Sequence, residues 1–111
     1  MDEKAIPKRI AILSPQAIQD YAQNHDYTSH AWGWPQAENY SDMLDAAIEK
    51  AAAEPNAGKR IAGFPLYRAQ FVKWSKAKNG HYIIYRPTEN GIYVLRILHS
   101  AMDIPKHLEN K

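Results

Sequence analysis

The stretch HYIIYRPTENGIYVLRILH, residues 81–99, decides the fold. Two runs rich in β-branched and aromatic residues, 81–86 and 92–99, flank a short segment that holds Pro87 and Asn90-Gly91. A run, a turn signal and a second run predict a β-hairpin. Immediately upstream, residues 67–74 (YRAQFVKW) alternate in the same way, and the polar segment 75–80 ends in Asn79-Gly80, a second hairpin signal. The C-terminal half is therefore expected to be an antiparallel meander of three strands. Downstream, residues 103–108 (DIPKHL) have the makings of one or two helical turns.

Further upstream the hydrophobic period changes from 2 to 3.6. Pro35 suits a first helical turn, and Ala37, Tyr40, Leu44, Ala47, Ile48 and Ala51 follow on one face, with Glu38, Asp42, Asp45, Glu49 and Lys50 on the other. Pro55, Asn56 and Gly58 supply the stop. Ser14-Pro15 is a second helix start, with a capping hydroxyl followed by a first-turn proline. It places Ala17, Ile18, Tyr21 and Ala22 together, and this helix is expected to fade around residues 24–26. The aromatic-rich residues 25–34 read as an irregular joint, and a short joint makes the two helices an antiparallel hairpin. Residues 9–13 (RIAIL) read as a strand, and residues 1–8 as a loose polar tail. The sum is an α+β domain over residues 9–111 in the order β-α-α-β-β-β. A helix hairpin is expected to pack on a small antiparallel sheet of mostly four strands, with a short C-terminal helical segment.

Alternation in residues 92–99 puts Ile92, Val94, Arg96 and Leu98 on one face and Tyr93, Leu95, Ile97 and His99 on the other. Both faces are apolar. The helix hairpin can cover one, and the other needs the C-terminal segment or another chain.

At 111 residues and 12.7 kDa the chain is the size of one domain. It has no cysteine, which excludes disulfides, thiolate nucleophiles and cysteine-ligated zinc. No apolar run is long enough to span a bilayer, and the N-terminus does not read as a signal peptide. The net charge of +2 conceals a split. Residues 1–58 carry four Lys/Arg against nine acids, and residues 59–111 carry ten against three, about −5 and +7. Such a basic half suits an acidic partner or only aids solubility.

Arg68, Arg86 and Arg96 fall one on each strand of the meander, where with Lys73 they could form a cluster that holds phosphate or carboxylate. Arg96 sits inside an apolar run and needs a partner, for which Asp103 is the candidate. His99, at a strand end, has the chemistry of a general acid or base. His25 and His30 are five apart, a spacing that does not put both on one helical face, so no metal site and no cofactor is expected. Among the many aromatics, Trp34 in its Gly-Trp-Pro setting is expected to be exposed.

The phrase HYIIYR, a short acidic turn and GIYVLRILHSAMDIPKHL resemble the C-terminal half of the ParE-type toxins of the RelE/ParE superfamily. LSPQAIQDY resembles the family's first strand and helix, and AWGWPQAENYSDMLDAAIEKAAAEPNAGK its second helix. The resemblance spans roughly residues 9–108, and its most specific parts are Tyr85-Arg86 and the run from Arg96 to Asp103. It implies a RelE/ParE-like fold and a cytoplasmic bacterial toxin without cofactors. It also implies neutralisation by a cognate antitoxin of ribbon-helix-helix type with a flexible tail, through which alone DNA is contacted. The ParE branch implies inhibition of DNA gyrase, with Arg68, Arg86, Arg96, His99, Met102 and Asp103 as target contacts. Tyr21, Trp34 and Tyr40 are the candidate antitoxin anchors. The RelE branch implies instead a ribosome-dependent mRNA endonuclease, using Arg68, Lys73, Arg86, Arg96 and His99. A third alternative is an inactive module that only binds antitoxin.

Overall fold

The computed structural model describes residues 9–74 and 77–109. The expected tail at residues 1–8, and residues 75 and 76 of the expected turn, lie outside these. The first strand, β1 (Ile10–Leu13), ends at Ser14, which starts α1 (Pro15–Trp32). The Ser14 hydroxyl accepts the Ala17 N–H at 3.0 Å and donates to the Leu95 carbonyl at 2.7 Å. One buried oxygen thus caps a helix and ties it to the sheet. Ser14→Ala is expected to cost about 1–2 kcal/mol in urea unfolding, the upper range for a lost cap.

Helix α1 is longer than its sequence predicts. It runs on through residues 25–32, and the joint shrinks to Gly33 alone. Gly33 has φ +94°, a conformation that L side chains rarely adopt, so a single residue reverses the chain. Cross-links between the helices hold the extra turns: His25 Nε2 meets Glu38 Oε2 at 2.8 Å, and the His25 ring packs edge-on against Trp34. The inward stripe of α1 is Ala17, Tyr21, Asn24 and Thr28; Ile18, 57% exposed, and Ala22 lie off it. The second helix, α2 (Trp34–Ala53), follows the predicted period closely. Ala37, Tyr40, Leu44, Ile48 and Ala51 are buried, and the acidic face is exposed.

A 3-10 turn (Pro55–Ala57) leads to β2 (Lys59–Arg60), a two-residue strand that alternation does not reveal. Strands β3 (Arg68–Val72), β4 (His81–Thr88) and β5 (Gly91–His99) form the expected antiparallel meander. The sheet order is β1-β5-β4-β3-β2. It is a mixed sheet of five strands, because β1 pairs parallel with β5. Neither Asn79-Gly80 nor Asn90-Gly91 makes the positive-φ turn that the dipeptide suggests; Gly33 and Gly63 hold the positive-φ positions among the described residues. Gly91 is needed for another reason: a Cβ there would collide with the backbone of Ile10.

Register in the β4–β5 pair shifts between Ile84 and Tyr85. Ile84 pairs with Arg96 and Tyr85 with Val94, so Leu95 is the extra residue of a bulge. The bulge overturns simple alternation along β5. Ile92, Val94 and Ile97 face the helices and join Leu44, Ile48, Ile83 and Tyr85 in the main core. Leu98 faces the other way, and Leu95 packs on that side too. There Leu108 and Ile104 of α3 (Ile104–Glu109) pack with Ile84, Ala69, Phe64 and Tyr82. The C-terminal segment therefore covers part of the second apolar face. Ile10 and Ile12 at the β1 edge stay exposed, as does Phe71 on β3.

Candidate functional site

The predicted cationic cluster is not assembled. Arg68 donates from Nη1 to the Gly58 carbonyl at 2.9 Å. Arg86 lies over the Tyr93 ring, 5.3 Å from its centroid. Arg96 turns to α1, where Nε reaches Asp20 Oδ2 at 2.8 Å and Nη2 reaches Oδ1 at 3.0 Å. Its partner is thus Asp20 and not Asp103. Asp20 Oδ2 also accepts the Ile97 N–H at 2.9 Å. This carboxylate raises the pKa of Arg96 further. Asp103 instead starts α3, accepting the Lys106 N–H at 3.3 Å. Lys73 donates to the Trp74 carbonyl at 3.3 Å.

Around the Asp20–Arg96 pair lies a cleft of about 450 Å³, between the C-terminal half of α1 and the meeting ends of β4 and β5. Tyr27 and Trp32 of α1 form one wall, and Tyr40, Trp74 and His81 the other. His99 and Met102 stand at the end of β5. Tyr40 is only 5% exposed, and its hydroxyl lies 2.7 Å from His81 Nδ1. Burial pushes the Tyr40 phenol up to about 12, so the hydroxyl keeps its proton. Burial also pulls His81 down to about 4, and the neighbouring His99 adds to this. The two imidazoles meet edge to face, with centroids 5.4 Å apart. His99 Nδ1 accepts the Ala101 N–H at 3.0 Å.

The lowered His81 sets a pH dependence. Between its unfolded value of 6.5 and its folded value of about 4, the unfolded chain binds the extra proton. Stability is therefore expected to fall as pH drops through that window, and His81→Gln is expected to flatten this part of the pH profile of Tm.

Trp34 is 63% exposed, on the far side of Gly33 from Trp32, in line with the sequence reading. Tyr21 is half-buried between the helices and donates to Asp45 Oδ1 at 2.7 Å. Burial first, and that bond second, push its phenol up to about 12. The structure thus brings Arg96, His99, Met102 and Tyr40 to one cleft. Arg68, Arg86 and Asp103 make their contacts elsewhere, and Tyr21 and Trp34 belong to the helix hairpin. Sequence reasoning missed Asp20, Asn24, Trp32, Trp74 and His81 as parts of the cleft. The lone arginine in an apolar run was the signal available, because it demanded a buried carboxylate. Among the described residues no group of three His, Asp or Glu side chains is placed to hold a metal ion, and no helix is long and apolar enough to cross a membrane.

Comparison with known proteins gives one answer. Residues 11–104 match the family model described as "ParE toxin of type II toxin-antitoxin system, parDE". Toxin ParE1 of Mycobacterium tuberculosis (strain H37Rv) is 36% identical over 99 residues, covering 87% of this chain and 95% of that protein. Toxin ParE1 of Caulobacter vibrioides is 30% identical over 96 residues, covering 86% and 94%. A solved structure titled "Chromosomal ParDE TA system from P. aeruginosa" superimposes with a TM-score of 0.63 at 17% identity, covering 82% of this chain and 95% of that one. At that identity the structural likeness speaks for the fold.

Proposed function

Because the chain belongs to the ParE family of toxins of type II toxin–antitoxin systems, we propose that it inhibits DNA gyrase and is held inactive by a cognate antitoxin. The observation that carries the choice of target is the dispersal of its basic side chains. RNA cleavage requires several donors converging on one phosphate and its leaving group. Here Arg68, Arg86 and Arg96 are engaged separately with Gly58, Tyr93 and Asp20. A dispersed basic surface suits contact with a large protein target better than phosphoryl chemistry. In this reading Arg96, His99 and Met102 at the cleft, with Asp103 beside it, contact or shape the contact with gyrase. Arg68 and Arg86 extend that surface.

The antitoxin is of the ribbon-helix-helix type, with a flexible tail that folds onto the toxin. Trp34 is its exposed anchor point and Tyr21 lies half-buried between the helices, whereas Tyr40, at 5% exposure, is buried too deeply for direct contact. DNA is reached only through the antitoxin, and the complex works in the cytoplasm, where gyrase is found. The test in cells is induction of this chain with and without the antitoxin. Growth arrest with loss of plasmid supercoiling, both reversed by antitoxin, is the expected result. Arrest with normal supercoiling and cleaved mRNA would replace gyrase by the ribosome.

A second reading, mRNA cleavage, draws on the paired imidazoles of His81 and His99. The variant His99→Ala separates the two readings. A nuclease using His99 as acid or base loses about a hundredfold or more in rate. A gyrase inhibitor that makes one contact among many through His99 changes by a few fold.

A further inference from the structure

The two edges of the sheet are built differently. At one edge β2 is only two residues long, and both of them, Lys59 and Arg60, are charged and exposed. Short length and charge are the usual protection of a strand edge. At the other edge β1 has no such protection. Its residues Ile10–Leu13 hold no charge and no proline, and they pair with β5 without a register shift. The Ile10 N–H bonds the Asn90 carbonyl and the Ser14 N–H bonds the Val94 carbonyl, both at 2.9 Å, so the even-numbered residues face β5. By alternation Ala11 and Leu13 turn their N–H and C=O groups to the open side. Among the described residues no strand pairs with them there. The side chains beside this edge are apolar as well. Ala11 and Leu13 pack toward the core, whereas Ile10 and Ile12 stand 49% and 58% exposed on the opposite face, with Tyr93 in register with Ile12.

We propose that β1 pairs antiparallel with β1 of a second copy of this chain, about a two-fold axis at Ala11, joining two five-stranded sheets into one of ten strands. The strand matches itself in this register. Ala11 meets Ala11 and Arg9 meets Leu13 in hydrogen-bonded pairs, since the odd-numbered residues face outward. Ile10 meets Ile12 of the second copy in the closer, non-hydrogen-bonded pairs, so four isoleucines form one apolar row on the exposed face. The two Arg9 residues stay about 13 Å apart along the strand, beyond a Debye length at physiological salt. A neutral, apolar edge offers nothing to select a charged segment of another protein, and a second copy is the partner whose edge is equally neutral and apolar. The paired strand is short, so the association is expected to be reversible. β1 supplies no residue to the cleft, and the pairing is independent of the target of the toxin.

The test is sedimentation equilibrium of the full chain, without antitoxin, from about 10 μM to 1 mM, with amide exchange followed by NMR over the same range. The mass is expected to rise from 12.7 kDa toward twice that value. The Ala11 and Leu13 amides are expected to gain protection in step with it, while the Ile10 amide, already bonded to Asn90, changes little. Ile12→Lys, at an exposed position where thermal melts verify the fold, is expected to weaken the dimer by about tenfold or more. Leu66→Lys, at a 68% exposed apolar position away from this edge, is expected to stay within about twofold. A chain that remains monomeric up to about 1 mM overturns the proposal. A dimer in which Ala11 and Leu13 gain no protection, or one that Ile12→Lys leaves intact, overturns it as well. Protection of these two amides in a monomeric chain only when antitoxin is added overturns the second copy and gives the edge to the antitoxin.

Discussion

Asp20→Ala is expected to destabilise the protein by about 3–5 kcal/mol, because it strands a largely buried guanidinium in the cleft. The Arg96 and Asp20 side chains are only 18% and 12% exposed, so solvent screens the pair little. The carboxylate makes three bonds, two with the Arg96 guanidinium and one with the Ile97 N–H. All three join the middle of α1 to β5 just beyond the bulge. At a domain of this size the loss corresponds to a fall in Tm of about 12 °C or more. Arg96→Ala alone is expected to cost nearly as much. The double variant should recover part of the loss, since removing both charges leaves neither unpaired. Additive losses in urea unfolding, or a cost below about 1 kcal/mol for Asp20→Ala, would show that the pair does not anchor the strand.

The second large effect is expected at Gly58. A Cβ at this position would run into the Tyr85 hydroxyl, and Tyr85 is fully buried. That hydroxyl donates to the Pro55 carbonyl at 2.8 Å and accepts the Gly58 N–H at 3.2 Å. It thereby holds the turn after α2 against the sheet, in a site where burial pushes the phenol pKa up. Gly58→Ala forces overpacking and breaks these bonds together, for about 3 kcal/mol. Tyr85→Phe alone is expected to cost about 1–2 kcal/mol, because the buried Gly58 N–H and the partly buried Pro55 carbonyl lose their partner. Combining the two should cost clearly less than their sum, since the phenyl ring leaves room where the hydroxyl stood. Strict additivity would mean that the collision is relieved elsewhere.

These two sites mark what the sequence could and could not reveal. The period of α2 was legible because its buried positions repeat at three and four and its acids occupy the opposite face. The meander was legible because the strands alternate and polar, glycine-containing segments separate them. The end of α1 was hidden. His25, Thr28 and His30 have modest helix propensity, and the contacts of His25 with Glu38 and Trp34, set by tertiary packing, hold the helix there. The faces of β5 were misread because one extra residue, Leu95, reverses the alternation beyond it. Glycine at 91 looked like turn chemistry, yet a parallel strand from the other end of the chain is what excludes a side chain. The parallel β1–β5 pairing itself leaves no local trace. The cleft was half legible: Arg96 and His99 stood out by chemistry, whereas Asp20, Trp32 and Trp74 join them only through long-range packing.

The proposal that this ParE-family chain acts on DNA gyrase meets its sharpest test in a supercoiling assay. Purified gyrase, relaxed plasmid and ATP are combined with the chain, with and without its cognate antitoxin. Loss of supercoiling or trapped cleaved DNA is expected, with activity restored by the antitoxin. Unchanged supercoiling at a large excess of chain that is folded and binds its antitoxin would contradict it.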